Sequence, residues 1–353
     1  MAFSSRSSIA VEMKSRDPRV LGVLLIVNLM CVALAQNPGQ PYSAQTTIRV
    51  QSSLVLVDVI TQDHKTGLPV RVLKREDFRV FDNKHEVPIA TFDSGARYDT
   101  RPITLWLVVI CNERVKRGGS AEFLGKEAMF RPALDQLDKT DTVGVAHWCD
   151  NGEAKLDLLP TGDRDTPIHV LAKTIKPISF DAGSRHSNDV GEATFRRLIR
   201  LIIQDAHRRN PQPLPVIVFL DGDYTGEPRG KLDQVVDDLL EVSGTVFGIK
   251  DSHSPEAPIL TNGEVGEIEH YMADKTGGKF YSAPRQGYAA ALELILMQLH
   301  FRYELGFIPP VIDGKRHQLK VELTTEAREK HGGVRLRFRP EYIPVPELPT
   351  WAR

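Results

Sequence analysis

The rhythm of hydrophobic and polar positions changes twice along the chain. Between residues 46 and 93 the period is near two. In TIRVQSSLVLVDVITQD, Leu54, Leu56 and Asp58 alternate with Val55, Val57 and Val59, the mark of a strand with one apolar face. HKTGLPV supplies a turn at Gly67 and Pro69. DFRVFDNKHEVPIATFD then predicts two more short strands joined at Asp82-Asn83.

After Arg101-Pro102 the apolar positions become continuous. Residues 103–110 read ITLWLVVI, as a strand covered on both faces should. Phe123, Phe130, Leu134 and Leu137 predict a helix, and residues 143–148 a second strand. Residues 155–159 pair back onto that strand across the Asp150-Asn151-Gly152 turn. Phe195, Leu198, Ile199, Ile202, Ile203 and Ala206 form the stripe of an amphipathic helix. Pro211, Pro213 and Pro215 end it before a strand at 216–220. Leu232, Val235, Val236, Leu239 and Leu240 mark the next helix, followed by a strand at 245–249. Val265, Ile268 and Met272 predict another helix, 279–281 a short strand, and Leu292, Ile295, Leu296 and Leu299 a last helix. Strands alternating with helices over about 200 residues predict an open, mostly parallel, doubly wound α/β sheet. From Phe301 period two returns in FRYELGFIP, HQLKVEL and VRLRFRP. The expected organisation is a β segment at 36–100, an α/β domain at 101–300 and a β segment at 301–353. The two β segments are expected to pack together as one small layer.

The first residues read as an address. Lys14, Arg16 and Arg19 precede the apolar run VLGVLLIVNLMCVALA, which ends Ala33-Leu34-Ala35. Basic, apolar and small residues in that order predict a signal peptide over 1–35, cleaved after Ala35. The run, interrupted by Asn28, falls short of the about 20 residues a bilayer span needs. The expected location is therefore periplasmic or secreted, with no membrane span after cleavage. Such a compartment permits disulfides.

Composition adds exclusions. With 41% hydrophobic and 26% charged residues the chain is an ordinary globular one. A formal net charge of -1 offers no polyanion-binding field, which argues against nucleic acid as a partner. Three cysteines exclude a disulfide framework and a four-cysteine zinc site. The 11 histidines show no HxxxH or HExxH spacing, so spacing gives no histidine zinc site. His147, within a strand, reads as a core or edge residue, and His186 as solvated. No GxGxxG, Walker lysine or GxSxG motif is present. Arg196, Arg197, Arg200, Arg208 and Arg209 form the polar side of a helix.

The order of LVLVDV, TGLPV, LKREDFRVFDNKHEVPIATF, WLVVICNE, DTVGVAHWCDNG, VIVFLDGDYTG, GGKFY, FRYELGF and DGKRHQLKVEL resembles the secreted "VWFA-related" proteins typical of acidobacteria. The resemblance spans roughly residues 46–342, and its middle segment looks like a von Willebrand factor A domain. It implies an A-domain fold and a binding role without chemistry, toward a protein or cell-surface polymer. It also implies a metal-ion-dependent adhesion site in which a DxSxS motif, a second-loop hydroxyl and a fourth-strand Asp hold Mg2+. Asp221 matches the Asp, and Ser187 is the candidate hydroxyl. The DxSxS motif is missing: the positions read Cys111, Asn112, Glu113, Arg114 and Val115, or run one residue later to Lys116. The site is therefore expected to be degenerate and unoccupied, with no cofactor, and Arg114 or Lys116 supplying the charge opposite Asp221. Asn112, Glu113, Arg114, Asp150 and Asp223 belong to the loops expected to face a ligand. In the A-domain order the first two strands are neighbours, so Cys111 and Cys149 are candidates for a disulfide.

One enzymatic alternative stands beside this reading. Asp221-Gly222-Asp223-Tyr224-Thr225 after an apolar strand resembles the DxDxT motif of haloacid dehalogenase phosphohydrolases. There Asp221 would attack phosphorus and Asp223 would act as acid and base. Asp237-Asp238, in the following helix, reads as a solvated face.

Overall fold

Alternation becomes strand in both flanks, and the continuous apolar runs become strands buried on two faces. The computed structural model describes residues 54–94, 101–111, 129–149, 153–174, 188–209, 213–220, 229–252 and 268–344. In chain order the strands before the first helix are β1 (Val55–Asp63), β2 (Phe78–Asp82), β3 (His85–Val87), β4 (Ile89–Asp93) and β5 (Ile103–Cys111). Then come α1 (Arg131–Leu134), β6 (Thr142–Cys149), β7 (Ala154–Thr161), α2 (Asp165–Thr174), α3 (Asn188–Arg208), β8 (Leu214–Leu220) and α4 (Arg229–Glu241). The remainder is β9 (Thr245–Asp251), α5 (Ile268–Thr276), β10 (Phe280–Ala283), α6 (Tyr288–His300), β11 (Tyr303–Phe307), β12 (His317–Leu323), α7 (Thr325–Lys330), β13 (Val334–Arg337) and β14 (Glu341–Tyr342).

The α/β segment folds around a six-stranded sheet of order β10-β9-β8-β5-β6-β7. All neighbours are parallel except β7, which runs antiparallel to β6. In order of appearance these strands stand 6-5-4-1-2-3, the doubly wound arrangement with one antiparallel edge. The run in β5 is continuous because both faces are covered. Leu105, Leu107 and Val109 pack with Leu134, Leu171, Leu292 and Leu296 on one side. Trp106, Val108 and Ile110 pack with Phe195, Leu198, Val236 and Met272 on the other. Gly144 of β6 makes room for Trp106: a Cβ there would lie 2.7 Å from the indole ring.

Two local outcomes differ from the pattern. The described part of the helix predicted around Phe130 and Leu134 is the four-residue α1 with Pro at its start, and Leu137 lies beyond its end. Proline at a helix start supplies the right φ but only a single turn follows. The ten-residue α2, unmarked in the sequence reading, buries Ile168, Leu171 and Ala172 on one face.

The flanks pack together around one core, as expected, but as two facing sheets rather than a single one. They interleave as two antiparallel sheets, β13-β1-β11-β4 and β14-β12-β2-β3. Each sheet combines strands from both ends of the chain. Val55 to Val59 of β1 lie opposite Phe307 to Tyr303 of β11, and Ile60 to Asp63 opposite Arg337 to Val334 of β13. β2 lies between β3 and β12. One apolar face per sheet needs a partner, and the facing sheet provides it. Val57, Val59, Val80, Tyr303, Leu305, Phe307, Leu319 and Val321 form the shared core. The β2–β3 turn is tight, with Asn83 at φ 45° and Lys84 at φ 73°. The Asn83 side chain accepts a hydrogen bond from the Gln318 amide of β12.

A buried charged cluster ties these sheets to the α/β segment. Asp58 of β1 accepts from Arg101 Nη2 and from Arg302 Nε, each at 2.5 Å. Arg302 also donates to the carbonyls of Leu299 and Arg101. Arg339 donates to the Leu240 carbonyl, Ser243 Oγ and the Leu56 carbonyl. Burial would raise the Asp58 carboxyl, but Arg101, Arg302 and Arg339 outweigh it and hold it below its ordinary value. Burial is the main cause that pulls Arg339 down to about 10.

Candidate functional site

The strand order reverses between β5 and β8, and in doubly wound sheets ligands bind outside the C-terminal strand ends at such a point. β5 ends at Cys111 and β6 at Cys149, which are register partners, while Leu220 at the end of β8 stands opposite Val109. The chain thus leaves three adjacent strands toward one edge of the sheet. Asn112, Glu113, Arg114, Asp150, Ser187, Asp221 and Asp223 all lie outside the described residues. The structure fixes where the loops that carry most of them begin.

The described chemistry at this edge is on the β6–β7 hairpin. Backbone pairing sets His147 opposite Lys155 and Trp148 opposite Ala154, and the Cys149 amide donates to the Glu153 carbonyl at 2.8 Å. His147 Nδ1 lies 2.7 Å from Asp157 Oδ2, and its Nε2 lies 3.5 Å from Glu153 Oε1. His147 is only 5% exposed. Burial alone would lower its pKa, but the Asp157 hydrogen bond and the charges of Asp157 and Glu153 outweigh burial and raise it. Cys149 is fully buried and disulfide-bonded. One ligand atom from each of His147, Cys149 and Glu153 falls within 4.8 Å of the other two. Sequence spacing did not reveal this grouping. His147 reads there as a core or edge residue, and its carboxylate partners come from the turn and the returning strand. The signal available was the two-residue step from His147 to Cys149, which puts both on one face of β6.

A second acidic group sits at the opposite end of the sheet. Asp141 Oδ1 accepts from the Ile103 amide at 2.7 Å, and Oδ2 accepts from the Asp138 amide at 2.9 Å and meets His300 Nε2 at 3.0 Å. Arg164 donates to the carbonyls of Asp138 and Asp141. This carboxylate is saturated and clamps the start of β5 to the end of α6. Burial opposes ionisation, but the His300 and backbone hydrogen bonds win and lower its pKa. A lowered carboxyl contributes stability that is present above the ordinary value of 3.8 and lost as pH falls through the folded value. Asp141→Asn is therefore expected to flatten the acid limb of stability. Urea midpoints measured from neutral to acid pH check this; an unchanged acid limb would contradict the clamp.

The basic face of α3 and the Asp237-Asp238 pair are less free than the pattern suggests. Arg200 meets Asp238 of α4 at 3.2 Å, and Arg209 meets Asp205 at 2.7 Å. Asp237 accepts from Arg316 at 2.7 Å. Among the described residues, no helix is long and apolar enough to cross a membrane.

No family model and no curated protein matches the chain. Solved structures similar to it include a von Willebrand factor type A protein from Catenulispora acidiphila, at 9% identity, covering 84% of this chain and 74% of that one, TM-score 0.40. BatB from Bacteroides thetaiotaomicron is similar at 13% identity, over 56% of this chain and 98% of that one, TM-score 0.34. The pilus adhesin SpaC from Lactobacillus rhamnosus GG is similar at 10% identity, over 67% of this chain but 35% of its own, TM-score 0.40. The von Willebrand factor A-like character of the fold stands on the strand order itself, with its antiparallel edge at β7.

Proposed function

We propose that the protein is an exported, non-enzymatic binding protein that meets a protein or cell-surface polymer at the C-terminal edge of its six-stranded sheet. The observation that supports this is the convergence of the ends of β5, β6 and β8 at the switch point. Loops that leave adjacent strand ends share one surface, and rigid strands position them.

The Mg2+ site of an adhesion domain does not fit this edge. The strand end that should carry its first carboxylate carries Cys111, in register with a disulfide-bonded cysteine. Mg2+ wants rigid, hard oxygens in near-octahedral array, and sulfur is a poor substitute. Asp221 and Ser187 then form a degenerate remnant, and binding is independent of divalent ions. Cys111 is the partner we assign to Cys149, since parallel neighbours in register bring their backbones close enough for a bridge.

Calorimetric titration of the protein with Mg2+ and Mn2+ is expected to show no saturable heat. Saturable binding abolished by Asp221→Ala would show that a working metal site survives. The binding surface is tested by placing a photo-crosslinking residue at position 114 or 223 and, as control, at the exposed Lys320 of β12 in the other part of the fold. Crosslinks to an envelope macromolecule from 114 and 223 but not from 320 are expected. Equal yields at all three positions would remove the sheet edge as the contact surface.

A further inference from the structure

We propose that reduction of the Cys149 disulfide opens a zinc site made by His147, Cys149 and Glu153 on the β6–β7 hairpin. Its donors differ from those of the degenerate magnesium position: its chemistry is soft where that one is hard.

Three observations converge. The candidate ligand atoms of His147, Cys149 and Glu153 all lie within 4.8 Å of one another. Ligands around a tetrahedral zinc, at about 2.0–2.3 Å from the ion, stand roughly 3.5 Å apart, so a small contraction closes the site. The imidazole is also oriented for the task. Nδ1 is engaged by Asp157 Oδ2 at 2.7 Å, which turns Nε2 toward Glu153. A carboxylate holding the far nitrogen of a ligating histidine is the usual outer-shell support of a zinc ion. Finally, Nε2 is buried and makes no hydrogen bond, in a residue only 5% exposed. A buried nitrogen held only by a carboxylate 3.5 Å away is poorly satisfied, and a metal ion would supply a closer partner.

The donor set selects the metal. One thiolate, one imidazole and one carboxylate suit zinc and do not suit Mg2+ or Ca2+. Glu153, with 47% of its side chain exposed, provides the entry path from solvent. A fourth position is left for water or for the second thiol released from the disulfide.

The disulfide is the gate. A bridged sulfur carries no charge and binds zinc poorly; the thiolate is the ligand. An external dithiol transfers two electrons and two protons to the bridge, yielding two cysteine thiols and its own cyclic disulfide. Zinc then takes the Cys149 sulfur and His147 Nε2, and the thiol and imidazolium protons leave to solvent. Reoxidation reverses the sequence and expels the ion. The hairpin lies beside the start of the loops that follow β5 and β6, so occupancy would change the rigidity of that edge.

The test titrates the full chain with Zn2+ by calorimetry in two states, as isolated and after reduction by a phosphine removed under anaerobic conditions. One zinc per chain in the reduced protein only is expected. Co2+ in the same position should show thiolate-to-cobalt charge-transfer absorption. His147→Gln should abolish uptake, and Asp157→Asn should weaken it by about 10–100-fold. Glu153→Gln changes an exposed rim residue, so its expected weakening remains readable if His147→Gln fails to fold. Equal uptake by the oxidised protein, no uptake by the reduced one, or a cobalt spectrum without the thiolate band would each overturn the proposal.

Discussion

Replacing Asp58 by alanine is expected to destabilise the protein by about 3–5 kcal/mol, the cost of breaking a buried ion pair by removing one partner. That is a large part of the about 5–15 kcal/mol that holds an ordinary fold together. The loss is large because two arginines bond this one carboxylate and the charge of a third acts on it. Arg302, 2% exposed, and Arg339, 8% exposed, would keep their desolvation cost while losing the charge that offsets it. Urea unfolding at neutral pH measures the effect. A loss below about 1 kcal/mol, the range of surface ion pairs, would show that the arginines relax into solvent. The same carboxyl gives a pH signature. Its folded pKa lies below the ordinary 3.8, so its contribution is present above that value and fades as pH falls through the folded value. Asp58→Asn should lose that acid dependence along with part of the stability.

Deleting residues 301–353 is expected to unfold residues 54–93 as well. β1 pairs with β11 and β13, so the deletion removes both of its neighbours. β2 keeps only the three-residue β3, and β4 loses β11. A lone hairpin has too little apolar surface to persist in water. Limited proteolysis should therefore cut within 54–93 in the shortened chain and spare it in the full one. Full protease resistance there in the shortened chain would show that the N-terminal strands fold by themselves.

The parts of the fold legible in the sequence were those set by local period. Unbroken apolar runs such as ITLWLVVI announced two-sided burial, and the Phe195–Ala206 stripe announced α3. The returning strand at 155–159 could be read because a turn separates it from its partner. What stayed hidden depends on long-range pairing. Period two shows that Val57 and Val321 each face a core, and the flanks were expected to meet, but it does not show that their strands interleave into two facing sheets. The charged cluster at Asp58 was invisible for the same reason: its members come from four separate places in the chain. The six-residue α7 is too short for a period to stand out, and α2 offers only one short stripe, Ile168, Leu171 and Ala172. At the site, the loops that bear the family resemblance are not among the described residues, while His147 gained its chemistry from carboxylates that no spacing rule would have chosen.

The interleaving of β1–β4 with β11–β14 has a consequence for how the molecule comes to be folded. The central six-stranded sheet is built from one continuous stretch and can close early. The N-terminal strands must wait roughly 200 residues for theirs, and closing such separations slows folding. During that interval β1 presents alternating valines and unpaired backbone groups to its surroundings, a template on which another chain could add a strand. Sheltering the first strands until the last ones arrive would favour correct folding of a protein so arranged. Aggregation yield on refolding should therefore rise with concentration more steeply than for the α/β segment alone.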